Sequence, residues 1–344
     1  MNPLDLRRAP QTDPTLIYRY RDGLHAVDLL ITALVSFDLF TWIYRHPSSK
    51  SAICAEFKLA ERPADVMLTL FTAMGFLENR EGAFHVTALA REHLVSDSPW
   101  FLGPYYAALK DRPIAKDYLE ILRTDRPASW GGIKNEKAWA EAMEKEPFAT
   151  QFTSAMDCRG ILLGPAAARA IDANGMSRML DIAGGSGIYA CSFVAVHPHL
   201  RATVFEKPPV DQIARCKITE RGFDGRVEVV AGDMFCDALP VGHDLHLWSN
   251  VLHDWNETTV RELLTKSFRT LPPGGMVVIH DAHLNEDKSG PLHVAEYSAL
   301  LMHTTEGKCY SVAEIRSCLE EIGFENVMFT PTAASRSIVT ARRL

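Results

Sequence analysis

The stretch Met179-Leu180-Asp181-Ile182-Ala183-Gly184-Gly185-Ser186-Gly187 sets a short apolar strand directly before a glycine-rich turn, and a helix-forming run, Ile188 to Val196, follows at once. Glycines let the backbone approach a bound ribose or phosphate without a Cβ clash, and the exposed N–H groups at the start of the next helix offer donors. Taken alone, Gly-Gly-x-Gly is also an ordinary tight strand-to-helix connection. Glu206, however, ends the following strand, Ala202-Thr203-Val204-Phe205, at the place where an acid grips ribose hydroxyls. A dinucleotide fingerprint needs G-x-G-x-x-G, and here Ile188, Tyr189 and Ala190 follow Gly187 with no third spaced glycine. The turn therefore reads as a cofactor site, with dinucleotides disfavoured.

Outward from this turn, strands and helices alternate from Ser177 onward. Strands are predicted near 178–183, 202–206, 226–231, 244–250 and 276–284, and helices near 187–197, 209–222, 257–271, 291–304 and 311–322. Such alternation means a parallel sheet covered on both faces, a doubly wound α/β fold. Ser311-Val312-Ala313-Glu314 is a capping box for the last helix, and Asn326 to Thr330 with Ser337 to Ala341 closes the sheet as an antiparallel hairpin.

The N-terminal part is helical, with apolar residues three and four apart through His25 to Ile43 and again from Pro63 to Met74. Ala64 to Leu94 has the outline of a winged helix: helix, strand, turn Arg80-Glu81-Gly82, strand Ala83-Phe84-His85-Val86, and Thr87 capping another helix. Its would-be recognition helix, Pro63 to Met74, carries no Lys or Arg, so dimerisation or a lid is the expected role rather than DNA reading. Asp111 to Ala173 continues helical, broken at Trp130-Gly131-Gly132. The boundaries read as a helical domain over 1–105, a helical connector over 106–173, and the sheet domain over 174–344.

At 344 residues, 47% hydrophobic and 23% charged, the chain has the composition of a globular protein of about two domains. A formal charge of −7 argues against nucleic acid as a partner, since phosphodiester binding is mostly Lys/Arg electrostatics. Seven cysteines, with no C-x-x-C pair, resemble no disulfide framework and suit a reducing, cytoplasmic setting. The apolar run Ala26 to Tyr44 is interrupted by Asp28 and Asp38 and reads as a buried helix, so no membrane span is expected.

In an open α/β sheet the ligand lies beyond the carboxyl ends of the strands, so the residues just after each strand carry the chemistry. After the third comes Gly232-Asp233-Met234-Phe235, where Asp233 can accept from an adenine amino group while Met234 and Phe235 pack on its ring; Asp233 as a simple turn cap is the plainer alternative. After the fourth comes Asn250-Val251-Leu252-His253-Asp254-Trp255. His253 is the candidate base, because neutral imidazole can take a proton near pH 7, and Asp281 at the end of the next strand is placed to fix its tautomer. Asp254 or Asn256 is expected to cap the following helix. Metal is the rival use of the histidines, but His243/His246 and His280/His283 stand three apart on strands, which puts each pair on opposite faces. No metal site is expected.

Four segments then match a family: Asp181-x-x-Gly184-Gly185-x-Gly187, Gly232-Asp233-Met234-Phe235, His253-Asp254-Trp255 and Leu271-Pro272-Pro273-Gly274-Gly275. In that order, behind a helical domain, the chain resembles the class I S-adenosylmethionine-dependent O-methyltransferases of the plant caffeate and acetylserotonin type and their bacterial secondary-metabolism relatives. The resemblance implies a Rossmann-like methyltransferase domain behind a winged-helix dimerisation domain, a homodimer, and a small, aromatic hydroxyl acceptor. It implies that the glycine turn and Glu206 hold the methionine and ribose parts of the cofactor, Asp233 and Met234 the adenine, and His253 the acceptor's proton. S-adenosylhomocysteine is the implied product. It further implies that Phe152 and Met156 line the acceptor on one side and Leu300, Met302, His303 and Thr304 on the other. Departures are Glu206 where the family usually has Asp, Asp281 and Cys309 where plant members have Glu, and Ser249, a cofactor contact, where they have Lys. N-methylation, a family member that decarboxylates, hydroxylates or cyclises instead, and a cofactor-sensing winged-helix regulator are the alternatives.

Overall fold

Apolar residues three and four apart fold the N-terminal third into helices: α1 (Thr15–Asp22), α2 (Ala26–Ile31), α3 (Leu39–Arg45), α4 (Lys50–Phe57) and α5 (Glu61–Ala73). A two-stranded antiparallel hairpin follows, β1 (Leu77–Arg80) with β2 (Ala83–Val86), then α6 (Ala88–His93), α7 (Gly103–Ala107) and α8 (Pro113–Thr124). Thr87 caps α6, its hydroxyl accepting the Ala90 N–H at 3.3 Å. The apolar run from Ala26 bends by 61° between Ser36 and Leu39, and among the described residues no single helix is long and apolar enough to cross a membrane. Asp28, which interrupts that run, is 1% exposed and held by two guanidinium hydrogen bonds from Arg112 at 2.5 and 3.0 Å.

The second half begins with α9 (Glu136–Met143) and the long α10 (Glu146–Arg169), then alternates β3 (Arg178–Ile182), α11 (Ile188–Val196), β4 (Arg201–Glu206), α12 (Val210–Glu220), β5 (Val227–Ala231), β6 (Leu245–Ser249), α13 (Glu257–Thr270) and β7 (Met276–Asp281). After β7 the chain forms α14 (Leu292–Thr304), then α15 (Val312–Ile322), β8 (Glu325–Pro331) and β9 (Ser337–Arg342). The sheet order is β5-β4-β3-β6-β7-β9-β8, parallel through β7, with β9 antiparallel to β7 and β8 antiparallel to β9. Every residue of β7 is buried, as expected where helices cover both faces of a parallel sheet. The hairpin expected at the C-terminus forms, and it joins the sheet through its second strand, which leaves β8 at the edge. This is a mixed α/β fold built on a mostly parallel, doubly wound sheet.

The computed structural model describes residues 5–129 and 136–344; the break expected at Trp130-Gly131-Gly132 lies outside them. The chain divides into two units that interleave in sequence. The sheet unit takes residues up to 16, 137–283 and 312–344, and the helical unit takes 17–136 and 284–311. The sequence reading draws continuous boundaries at 105 and 173, whereas here α10 belongs with the sheet and α14 with the N-terminal helices. Long-range contacts that no local pattern announces explain the difference. In the helical unit, Asp65 of α5 binds Lys288 at 2.7 Å and Lys308 at 2.9 Å, Arg62 donates to the Gly307 carbonyl at 2.6 Å, and Tyr118 donates to the Ala299 carbonyl at 2.8 Å.

Candidate active site

The strand order reverses between β3 and β6, and at such a switch point the crevice outside the carboxyl ends receives the ligand. At the end of β3, Ala183, Gly185 and Gly187 all take positive φ (54°, 57° and 73°), which folds the turn tightly into α11. A Cβ on Gly184 would stand 2.7 Å from the Asp181 carboxyl, so the turn closes over that acid only with glycine there. Glu206 accepts the Gly185 N–H at 2.8 Å and the Lys207 N–H at 2.7 Å. Asp181 accepts the Ala190 N–H through Oδ2 at 3.2 Å, while its buried Oδ1 has no partner among the described residues.

Desolvation pushes Asp181 up to about 7, helped by the charge of Glu206, and it pushes Glu206 to about 6 against the two backbone donors. Two desolvated carboxyls around open backbone suit a ligand that brings donors and positive charge. S-adenosylmethionine brings an ammonium and ribose hydroxyls, and these residues fit it.

Asp233 is braced within its own turn: its carboxylate accepts the Phe235 N–H at 2.8 Å and lies 3.2 Å from Lys207 Nζ. The Met234 and Phe235 carbonyls accept from Lys266 at 2.7 and 2.6 Å, and the Phe235 ring meets Trp255 edge-on at 4.7 Å. Ser249 ends β6, opposite His280 of β7.

His253 sits in a short 3-10 turn, Leu252–Asp254, just past β6, and Asn256 rather than Asp254 caps α13, accepting the Thr259 N–H at 3.1 Å. The imidazole is 4% exposed. Its Nδ1 lies 2.5 Å from Asp281 Oδ1, which also accepts the Ala282 N–H at 2.8 Å, and its Nε2 is 3.5 Å from Asp254 Oδ1. Burial works to lower the His253 pKa, but the charges of Asp281 and Asp254 outweigh it and the net direction is up. Burial alone would raise Asp281; the charge and hydrogen bond of His253 hold it well below the usual carboxylate range. Desolvation raises Asp254. The two shifts at the His253–Asp281 pair agree, since each partner favours the other's charged form.

Sequence reasoning misses the buried polar chain behind this pair. The Tyr189 hydroxyl accepts from Asn250 Nδ2 at 2.9 Å and lies 3.1 Å from His280 Nδ1, and His280 Nε2 is 2.9 Å from the Thr332 hydroxyl. Asn250 takes a left-handed φ of 53°, a conformation that asparagine tolerates better than most residues. Its position beside His253 was the available signal. Burial holds His280 and His246 down to about 3 and His283 to about 4, so all three are neutral near pH 7. His243 bonds the Thr203 hydroxyl at 2.8 Å, and among the described residues no group of three or more His, Cys, Asp or Glu is arranged to hold a metal.

Phe152 and Met156 lie half-buried on α10 in the sheet unit, where Phe152 stacks with Phe148 at 6.3 Å and meets Trp139 edge-on at 5.8 Å. Gly160 and Gly164 let α10 lie directly on α11: a Cβ on Gly160 would be 2.3 Å from Ile188 Cγ2, and one on Gly164 would be 2.7 Å from Ser192 Oγ. Asp157 ties the same helix to the glycine turn through Ser186 and to α12 through Arg221. Leu300, Met302, His303 and Thr304 lie on α14 in the helical unit. Met302 is fully buried, and His303 is engaged with Asp117 at 3.0 Å and with the His25 ring at 4.6 Å.

The O-methyltransferase domain family model matches residues 119–325. The 3-hydroxy-5-methyl-1-naphthoate 3-O-methyltransferase of Streptomyces sahachiroi is 33% identical over 319 residues, 91% of this chain and 90% of that protein. An O-methyltransferase family 2 protein from Planctomyces limnophilus, solved in complex with apigenin, superposes with a TM-score of 0.89 at 31% identity over 100% of both chains. PigF, solved with SAH, superposes with a TM-score of 0.60 at 25% identity over 96% of this chain and 99% of that one. A family match over more than half the length, and a relative one-third identical across nine-tenths of it, mean that this chain belongs to the O-methyltransferase domain family, S-adenosylmethionine-dependent enzymes that methylate oxygen on small molecules.

Proposed function

We propose that the chain methylates an aromatic hydroxyl with His253 as general base, Asp281 as its orienting partner, and Asp181, the glycine turn, Glu206, Asp233, Met234, Phe235 and Ser249 around the cofactor. The observation that carries this reading is the 2.5 Å contact between His253 Nδ1 and Asp281 Oδ1 at the carboxyl edge of the sheet. It commits Nδ1 to the carboxylate and leaves proton exchange to Nε2. Bound S-adenosylmethionine supplies a methyl group on a cationic sulfur and leaves as S-adenosylhomocysteine. The protein's share is to hold the acceptor oxygen in line with that methyl group and to remove its proton. A phenol with pKa near about 10 is mostly protonated at neutral pH, and His253 Nε2 takes the proton as the oxygen's electron pair forms the new C–O bond. Asp281 then stabilises the imidazolium.

Phe152, stacked on Phe148 and met edge-on by Trp139, with Met156 one turn further along α10, supports a planar aromatic acceptor. The relative that acts on a hydroxynaphthoate and the one solved with apigenin support the same class of acceptor. For Leu300, Met302, His303 and Thr304 the acceptor role is proposed from the family resemblance. The helix, hairpin and helix from α5 to α6 support a winged-helix reading of the N-terminal part. Ile17, Tyr20, Leu24 and Val27 are all at least half exposed along α1 and α2, which supports a homodimer formed through the helical unit.

His253→Ala tests the mechanism. Calorimetry with S-adenosylmethionine should show unchanged affinity, while turnover on a panel of phenols falls by roughly 10²–10⁴. An unchanged rate removes His253 from the reaction.

A further inference from the structure

Lys266 lies half-buried on α13, and its ammonium group is given over to the loop that follows β5. Nζ donates to the carbonyls of Met234 at 2.7 Å, Phe235 at 2.6 Å and Asp237 at 3.2 Å. An ammonium has three donors, and three carbonyls take them, so Lys266 keeps none for a ligand. The helix beneath it is fixed in register. The neighbouring Ser267 is fully buried and accepts the indole N–H of Trp248, on β6, at 3.0 Å, and Asn256 caps the first turn.

A trans peptide unit is planar, with its C=O and N–H on opposite sides. The carbonyls of Met234 and Phe235 share their units with the N–H groups of Phe235 and Cys236, so holding the carbonyls to Lys266 turns those N–H groups away from it. They turn to Asp233. Its carboxylate accepts the Phe235 N–H at 2.8 Å, and the Cys236 N–H acts on it in the same sense. Burial works against this charge, but the two N–H groups and Lys207 outweigh it, so Asp233 stands below its ordinary value. Asp237 closes the loop from the other end: its Oδ2 accepts the Asp233 N–H at 2.8 Å, and its own N–H donates to the Asp233 carbonyl at 2.9 Å. We propose that Lys266 is a positioning residue for the cofactor, orienting the two peptides that orient Asp233 and so setting how strongly the site selects an adenine amino group. The inference rests on the reading above that puts Asp233 at the adenine. An exocyclic amino group donates to a fixed carboxylate, whereas hypoxanthine presents a carbonyl oxygen there, which the carboxylate repels.

The test compares the affinities of S-adenosylhomocysteine and S-inosylhomocysteine by calorimetry in wild type, Asp233→Asn and Lys266→Met. The wild type should prefer the adenosyl compound by roughly 10²-fold, and Asp233→Asn should abolish most of that preference. In Lys266→Met, which keeps the length of the side chain and removes the ammonium, the preference should fall by at least about tenfold. A lysine that served only the folding of α13 would weaken both ligands by the same factor. A preference within about threefold of wild type in Lys266→Met, alongside its loss in Asp233→Asn, therefore overturns the inference and leaves Asp233 at the adenine. If Lys266→Met does not fold, the same criterion applied to Lys266→Gln decides. A wild type that binds the two compounds equally, or an Asp233→Asn variant that keeps the preference, removes Asp233 from the adenine and the inference with it.

Discussion

Glu206 accepts the Gly185 N–H at 2.8 Å, so the acid that ends β4 is hydrogen-bonded to the glycine turn that ends β3. The contact joins two neighbouring strand ends into one acceptor-rich surface with Asp181. Both acids stand above their ordinary values, Asp181 at about 7 and Glu206 at about 6, chiefly through desolvation.

Cofactor binding should therefore release protons. A carboxyl whose pKa is raised on folding contributes stability that is fully present below its ordinary value of about 4 and is lost as pH rises through 6 to 7. An ammonium and ribose hydroxyls favour the ionised acids, so a ligand that brings them expels the protons held in that window. Calorimetric titration with S-adenosylhomocysteine, in two buffers of different ionisation enthalpy, should show net proton release at pH 6 and almost none at pH 8.5. Identical heats in the two buffers at pH 6 would remove these acids from the cofactor site.

The same logic with opposite signs governs His253 and Asp281. With His253 raised, kcat/KM should rise with pH around a midpoint above about 6.5. Asp281→Asn removes the stabilising charge, so the midpoint should move down while the plateau falls by roughly 10²-fold. For stability, the raised imidazole contributes below about 6.5 and loses its contribution as pH rises through its folded value. The depressed carboxyl contributes above about 4 and loses its contribution on acidification. The deficit in Tm of Asp281→Asn should thus be largest between about pH 4 and 6.5. A pH–rate midpoint that stays in place in the variant contradicts the coupling.

The parallel strands and their helices were legible because each is a local pattern. Apolar runs such as Met276–Ile279 and caps such as Asn256 announce their elements within a few residues, and the sheet rule places Glu206, His253 and Asp281 at one edge. Contacts between distant segments leave no such mark. Nothing near Leu292–Thr304 distinguishes a helix packed on the N-terminal helices through Tyr118 from one packed on the sheet. The chain of Asn250, Tyr189 and His280 likewise depends on three elements meeting, although the sequence shows Asn250 three residues before the base.

The exposed stripe of Ile17, Tyr20, Leu24 and Val27 predicts a concentration-dependent assembly. Sedimentation velocity of the wild type should give twice the mass of one chain. Ile17→Asp with Tyr20→Asp should weaken that association by at least about 10²-fold without unfolding the monomer. A wild type that sediments as a monomer at tens of micromolar would leave the stripe unexplained.

The close crossing of α10 on α11 predicts a coupled pair. Gly160→Ala puts a methyl group where Ile188 Cγ2 stands only 2.3 Å away. Overpacking costs about 1–3 kcal/mol, and the gain in helix propensity returns about 1, so the net loss should be about 0–2 kcal/mol by urea unfolding. Ile188→Ala alone should cost about 2–4 kcal/mol through the cavity it leaves. In the double variant the new methyl group fills part of that cavity, so the combined cost should fall short of the sum by at least about 1 kcal/mol. Because α10 carries Phe152 and Met156, Gly160→Ala should also raise the acceptor KM more than it weakens S-adenosylhomocysteine binding. Costs that add within about 0.5 kcal/mol would mean that the two helices adjust independently. In that case the spacing of Gly160 and Gly164 is not what fixes the position of Phe152 and Met156.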